Sequence, residues 1–214
     1  MDNEEDFDII RCFQHCSNKT NIFYCRQLPT TCPLCSGDVI NSDSLLPPYR
    51  IESPFIDAVR LPFAVVVKPT QGTFLQDYQN AANLHIGVTN SQGVVYEYDE
   101  NGITIGSISW TCCIAVSFSD LLTNRLFETE WDGQLARYSQ DLTWVPQRYH
   151  EEDHNCFSFV TSFLKLNGVL PADVSKQHFL TQFLIKHTTK GSKYISLYRQ
   201  IVTEGYLCQP AQAI

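Results

Sequence analysis

The chain has 214 residues, of which 43% are hydrophobic and 12% aromatic, and a formal net charge of −8. That length and apolar content suit one sizeable core with a small appendage and exclude a disordered chain. The acidic balance leaves no basic footprint for nucleic acid, and no apolar run approaches the ~20 residues of a membrane-spanning helix.

The chain opens Met1-Asp2-Asn3-Glu4-Glu5-Asp6, without the basic and apolar regions of a signal peptide. Nine cysteines in such a chain point to reduced thiols in an intracellular setting, cytoplasmic or nuclear, rather than to a disulfide framework. Five of them, Cys12, Cys16, Cys25, Cys32 and Cys35, fall in residues 9–40 together with His15. Cys32-Pro33-Leu34-Cys35 followed by Ser36-Gly37 has the form of a zinc knuckle, because a two-residue gap lets both thiolates grip one ion. Cys12 with Cys16, or His15 with Cys16, supplies the second pair across a short hairpin through Ile22-Phe23-Tyr24. The competing reading is a group of reduced surface thiols. A zinc ion here would be structural, since roughly 30 residues bury too little core to fold without a staple.

Residues 41–54 carry Leu46-Pro47-Pro48 and Ser53-Pro54 and read as a linker. They divide a small Cys-rich segment, 1–45, from the main domain, 46–214. Leu61-Pro62-Phe63-Ala64-Val65-Val66-Val67 predicts a buried strand, and Pro69–Phe74 a turn. Leu84–Thr89 and Val94–Tyr98, joined by Asn90-Ser91-Gln92-Gly93, predict a hairpin. Another strand is expected at Ile114–Phe118, with Cys112 and Cys113 before it on opposite faces as packing residues. A helix capped by Ser117 or Ser119 runs through Leu122, Leu126, Trp131 and Leu135, unless Asp132-Gly133 interrupts it. Lys176–His187 and Ser192–Glu204 also read as helices, with Gly205 as a C-cap.

The apolar residues at 157, 160 and 164, with 159, 163 and 166 beside them, recur at helical spacing. Asn155 is the expected N-cap, which puts Cys156 in the first turn. Free amides and the positive end of the helix dipole stabilise a thiolate there. Cys156 is therefore a nucleophile if the chain supplies a base, and a buried structural cysteine if it does not. Of the six histidines, His85 ranks first as that base, His154 second and His150 third. With a tight turn centred near Ser91-Gln92, His85 and Glu97 come nearly opposite on one face. Glu97 then orients the imidazole and favours its protonated form. Glu97 as a solvent-facing strand residue is the alternative. Glu151, Glu152 and Asp153 read as a solvated loop.

His85-Ile86-Gly87-Val88-Thr89-Asn90-Ser91-Gln92-Gly93-Val94-Val95-Tyr96-Glu97, with Asn155-Cys156-Phe157-Ser158-Phe159-Val160 downstream, resembles the circularly permuted papain-like superfamily, in its lecithin:retinol acyltransferase and NlpC-type branches. That resemblance implies Cys156 as nucleophile, His85 as base and Glu97 as orienting residue. Glutamate stands where the acyltransferases carry histidine, and Phe157-Ser158 where they carry Glu-His, so their substrate does not carry over. Those acyltransferases end in an apolar membrane tail, whereas this chain ends Gly205-Tyr206-Leu207-Cys208-Gln209-Pro210 and onward.

A closer likeness covers nearly the whole chain. Phe13-x-His15-Cys16, Cys32-Pro33-Leu34-Cys35, Pro69–Phe74, Leu84–Asn90, His154-Asn155-Cys156 and Ser192–Arg199 resemble the makorin-2 opposite-strand protein family. This likeness draws the metal set to His15, Cys16, Cys32 and Cys35, leaving Cys12 and Cys25 as spare thiols. The resulting expectation is an α+β fold, with an antiparallel sheet packed on the Cys156 helix and a small zinc knuckle before it. Its function would be that of a cysteine hydrolase or acyltransferase working through a thioester on a peptide, isopeptide or lipid ester. The alternative is a catalytically silent papain-like scaffold that binds a protein partner through the knuckle.

Overall fold

The computed structural model describes residues 9–16, 20–41, 46–79, 82–118 and 125–210. It is a mixed α+β chain with two antiparallel sheets and few helices. The chain divides into two compact units, one of residues 1–53 with 193–214, the other of residues 54–192.

In the first unit a four-stranded sheet runs in the order β3-β1-β2-β9. Its strands are β1 (Ile10–Gln14), β2 (Asn21–Cys25), β3 (Leu46–Ile51) and β9 (Tyr206–Pro210). Phe13 and Phe23 stack at 4.9 Å in its core, with Cys25, Cys32 and Val39 packed against them. The stretch 46–51, read from sequence as linker, is instead a strand paired with β1. Proline cannot donate to a ladder, but β3 is an edge strand, where Pro47 and Pro48 are tolerated. The unit therefore extends beyond the boundary expected near residue 45, and it recruits β9 from the far end of the chain through pairs such as Phe23 with Cys208.

The second unit holds a five-stranded sheet in the order β7-β6-β5-β4-β8. The strands are β4 (Ala64–Pro69), β5 (Leu84–Thr89), β6 (Val95–Asp99), β7 (Gly102–Ile105) and β8 (Ile114–Ser117). Val65, Val66 and Val67 are fully buried, as a central β-branched strand should be. The β5–β6 turn is tied by Asn90, whose Oδ1 accepts from the amides of Gln92 and Val94, both at 2.9 Å. Gly93 takes φ +74° there, and a Cβ on it would lie 2.4 Å from the Val59 carbonyl oxygen. Cys112 and Cys113 lie just before β8. Cys112 has φ +54°, so the backbone turns there instead of alternating, and the buried Cys113 thiol donates to the Ile56 carbonyl at 2.9 Å.

Helix α1 (Arg125–Ser139) runs without a break through Asp132-Gly133; of its two expected caps, Ser117 is instead the last residue of β8, and Ser119, like Leu122, lies outside the described residues. Asp132 belongs to this helix for a tertiary reason, since its carboxylate accepts from both the amide and the hydroxyl of Ser91 in the β5–β6 turn. Helix α2 (Cys156–Leu166) packs on β5 and β6. Phe159, Val160, Phe163 and Leu164 on that face are fully buried, and each contributes about 2 kcal/mol by removal from water. Phe163 meets Trp131 of α1 edge-on at 4.8 Å. Helix α3 (Lys176–Phe179) passes through a π-helical turn, Leu180–Leu184, into α4 (Ile185–Glu204). The two helices expected over 176–204 are thus one helical run. No described helix is long and apolar enough to cross a membrane.

Candidate functional site

Asn155 caps α2 as its sequence position implies. Its side chain accepts from the amides of Phe157 at 2.9 Å and Ser158 at 3.3 Å, and the Ser158 hydroxyl accepts from the Asn155 amide at 2.7 Å. This capping box uses the second and third amides of the helix and leaves that of Cys156 outside it. Asn155 is itself buried, with its Nδ2 donating to the Glu151 carbonyl. Cys156 therefore sits at a rigid, well-formed helix start, on the end that faces β5 and β6.

The hairpin delivers the partners, though not in the register expected. Gly87, not His85, lies opposite Glu97. The turn is centred on Gln92, with the Asn90 amide closing it onto the Val94 carbonyl at 3.0 Å. His85 and Glu97 are diagonal neighbours on the same face, within reach of long side chains, and His85 Nε2 lies 2.8 Å from Glu97 Oε2. The Cys156 thiol lies beside the imidazole and acts on its charge. Cys156, His85 and Glu97 are 6%, 9% and 5% exposed, so this chain of contacts is largely shielded from water.

Burial alone would lower the pKa of His85. The polar contacts with Cys156 and Glu97 and their negative charges outweigh it and push His85 up to about 9. Glu97 moves the other way. Burial raises its carboxyl, but the hydrogen bond from His85, the Trp110 indole and the Lys68 charge hold it below the ordinary value. Among the described residues Trp110 Nε1 has no hydrogen-bond partner of ordinary geometry, so its action on Glu97 is a longer polar contact. Tyr149 is pushed up to about 12 by burial first, then by Cys156, Glu100, Glu151 and Asp99.

The other two candidate bases are engaged elsewhere. His154 Nε2 donates to the Thr143 carbonyl at 2.8 Å, and its ring stacks on Trp144 at 4.7 Å and 2°. His150 is exposed, with Nδ1 2.8 Å from Asp153 Oδ1.

The second constellation lies in the first unit. The ligand atoms of His15, Cys16, Cys32 and Cys35 all lie within 4.8 Å of one another, so this cluster could hold a metal ion. The turn that makes it is tied by Cys32 N–H to the Gly37 carbonyl and Ser36 N–H to the Cys32 carbonyl, both at 2.8 Å. Cys16 and Ser36 take the left-handed conformation, φ +54° and +59°. Gly37 keeps the ring of His15 close, since a Cβ there would lie 3.0 Å from His15 Cε1. His15 Nε2 lies 3.1 Å from the Asp38 carbonyl; a carbonyl only accepts, so Nε2 carries the proton and Nδ1 is left as donor atom. Nδ1 is 3.3 Å from Cys35 Sγ.

Burial raises the pKa of Cys32, but the amides of Cys35 and Leu34 and the side chains of Cys35 and His15 bring it below the ordinary thiol value. The spare thiols behave as packing. Burial dominates for both, lifting Cys12 to about 12 and Cys25 to about 11. Sequence reasoning missed Lys68 and Trp110, which border the His85 pair. Their placement depends on the β4–β5 register and on the loop before β8, neither of which has a local pattern.

These features define an α+β protein with a buried Cys–His–Glu contact chain in one unit and a His/Cys cluster fit for a metal ion in the other. Family models for DUF4796 match it twice, the N-terminal one over residues 9–39 and the C-terminal one over residues 48–201. The chain belongs to the DUF4796 family. It is similar to the human MKRN2 opposite strand protein, with 32% identity over 198 residues that make up 91% of this chain and 86% of that protein. No solved structure matches it.

Proposed function

We propose that this chain is a cysteine-dependent acyl-transfer enzyme, a hydrolase or acyltransferase, in which Cys156 forms a thioester. The observation that carries this reading is a buried imidazole that lies beside the Cys156 thiol and, at 2.8 Å, against a carboxylate. Nucleophile, base and orienting group in that sequence of contacts are what thiol catalysis needs. The Cys156 sulfur, as thiolate, attacks the carbonyl carbon of a peptide, isopeptide or ester, and the His85 imidazolium gives its proton to the leaving nitrogen or oxygen. Water or a second acceptor, deprotonated by His85, then displaces the thiolate and releases the acyl group. The Cys156 amide, outside the capping box, is available to the oxyanion. The chain order His85, Glu97, Cys156 and the sheet packed on the Cys156 helix support the likeness to the permuted papain-like superfamily.

The His15, Cys16, Cys32 and Cys35 cluster completes the reading as a structural zinc knuckle. One imidazole and three thiolates form a common tetrahedral set with no open position for substrate. Purified protein should carry about one zinc, lost in a Cys32→Ser/Cys35→Ser variant, and metal-free fresh protein would defeat this assignment.

A catalytically silent, partner-binding scaffold is the second reading, favoured by the 6% exposure of Cys156. Iodoacetamide labelling near neutral pH, with the labelled cysteine located by mass spectrometry, separates the two. Catalysis requires Cys156 to react faster than an ordinary thiol and His85→Ala to slow it. Equal rates in both proteins would sink the ion pair.

A further inference from the structure

The sheet face that carries His85 and Glu97 holds two more side chains that the thioester steps leave unused. Lys68 lies directly opposite His85 in the β4–β5 pairing, so both project from one face. Its Nζ stands 4.6 Å from the centroid of the Trp110 ring. The same ammonium donates to Ser109 Oγ at 2.5 Å, and Ser109 Oγ meets Ser107 Oγ at 2.8 Å. The Trp110 ring lies 5.7 Å from that of His85, tilted by 32°. Lysine, indole and imidazole thus follow one another in contact.

Trp110 is 3% exposed and packs among Ala58, Ala64, Val66, Val95 and Cys113. The space for it depends on a missing side chain. A Cβ on Gly87 would fall 3.2 Å from Trp110 Cζ2 and 2.6 Å from Val95 Cγ1. Packing alone does not explain an indole here, because its buried Nε1 has no hydrogen-bond partner among the described residues and phenylalanine would fill much of the space without that cost. The indole and Lys68 do both act on Glu97, holding its carboxyl down.

We propose that Lys68 and Trp110 are positioning residues of the His85 pair, the lysine clamping the indole over the His85–Glu97 hydrogen bond so that water is kept from it. Keeping water out strengthens that bond and fixes the imidazole on Cys156. The groups facing His85 are then Lys68 from β4, Glu97 from β6, Cys156 from α2 and Trp110 from the loop before β8. The task assigned to the pair rests on the thioester reading, whereas the clamp itself is a statement about water.

The test follows the His85 Nε2 proton by NMR in the full chain with 15N-labelled histidine near pH 6, alongside iodoacetamide labelling of Cys156. In the wild type that proton should exchange slowly with water. Lys68→Met should speed the exchange about fivefold, the scale of one partly buried cation–π contact. Lys68→Arg should restore it, since a guanidinium also lies over an indole. Ser109→Ala, which frees the ammonium without touching the core, should move exchange the same way by less. Unchanged exchange in Lys68→Met, or equal loss in the Met and Arg variants, overturns the clamp. Slow Cys156 labelling in the wild type with lysine-dependent exchange sinks the thioester reading and leaves the clamp standing. Fast labelling with lysine-independent exchange does the reverse.

Discussion

Replacing Glu97 by glutamine probes the His85 pair most directly, because it keeps the shape and an acceptor oxygen while removing the charge. His85 is raised from 6.5 to about 9 in the folded chain, after burial is outweighed by Cys156 and Glu97. A raised pKa contributes stability that is fully present below pH 6.5 and is lost as pH climbs through about 9. At about 1.4 kcal/mol per pH unit, that interval sets a ceiling of about 3 kcal/mol, shared between Cys156 and Glu97. Solvent screening is small, since His85 is 9% exposed. A charge-assisted hydrogen bond contributes about 2 kcal/mol and a neutral one about 1 kcal/mol.

Glu97→Gln should therefore cost about 1–2 kcal/mol at pH 7, from the difference between the two bonds up to half of that ceiling, and less at pH 10, where His85 is neutral and a buried carboxylate is itself a burden. Urea unfolding followed by tryptophan fluorescence, on both proteins at both pH values, measures the difference. A cost that is the same at pH 7 and pH 10 would refute a charged His85–Glu97 pair.

Two further perturbations test the supports of the site. Asn155→Ala removes the acceptor for the Phe157 and Ser158 amides and should cost about 1–2 kcal/mol in urea unfolding; it should also slow Cys156 labelling, because the helix start frays. Gly87→Ala puts a methyl 2.6 Å from Val95 Cγ1 and 3.2 Å from Trp110 Cζ2, an overpacking that should cost about 1–3 kcal/mol and shift the ring resonances of His85 in NMR spectra. A neutral Gly87→Ala would mean that Trp110 does not need the gap.

The parts of the fold that were legible carry local signals. Leu84–Thr89 is the observed β5, since an apolar run ending at Asn90 has few alternatives. The Asn155 cap and the apolar stripe behind it likewise predict α2 from Cys156 onward. Elements without a local signal went unread. β9 is a five-residue strand whose partner, β2, lies near the other end of the chain, and long-range pairing leaves no periodicity to detect. β3 was obscured by Pro47-Pro48, a pattern that forbids a central strand but not an edge. Asp132-Gly133 read as a possible interruption because the carboxylate's partner, Ser91, lies in the β5–β6 turn.

The nine cysteines show why composition alone could not locate the chemistry. All are free thiols, so a disulfide framework does not separate them. Their surroundings do. Cys12, Cys25 and Cys113 are raised to about 12, 11 and 12 because burial outweighs the donors they have, the Tyr49 hydroxyl at Cys12 and two backbone amides at Cys113 among them. Cys32 is buried as well, yet it falls below the ordinary value because the turn through Leu34 and Cys35 aims two amides at its sulfur. Cys156 sits at a helix start whose cap leaves its own amide outside the box, with an imidazole supplied from across the sheet. The balance of burial against donors aimed at sulfur, more than the number of thiols, therefore separates Cys32 from the packing cysteines. The local share of those donors is readable as Cys-x-x-Cys-Ser-Gly or Asn-Cys. The share that comes from a distant strand, His85 beside Cys156, is visible only once the sheet is assembled.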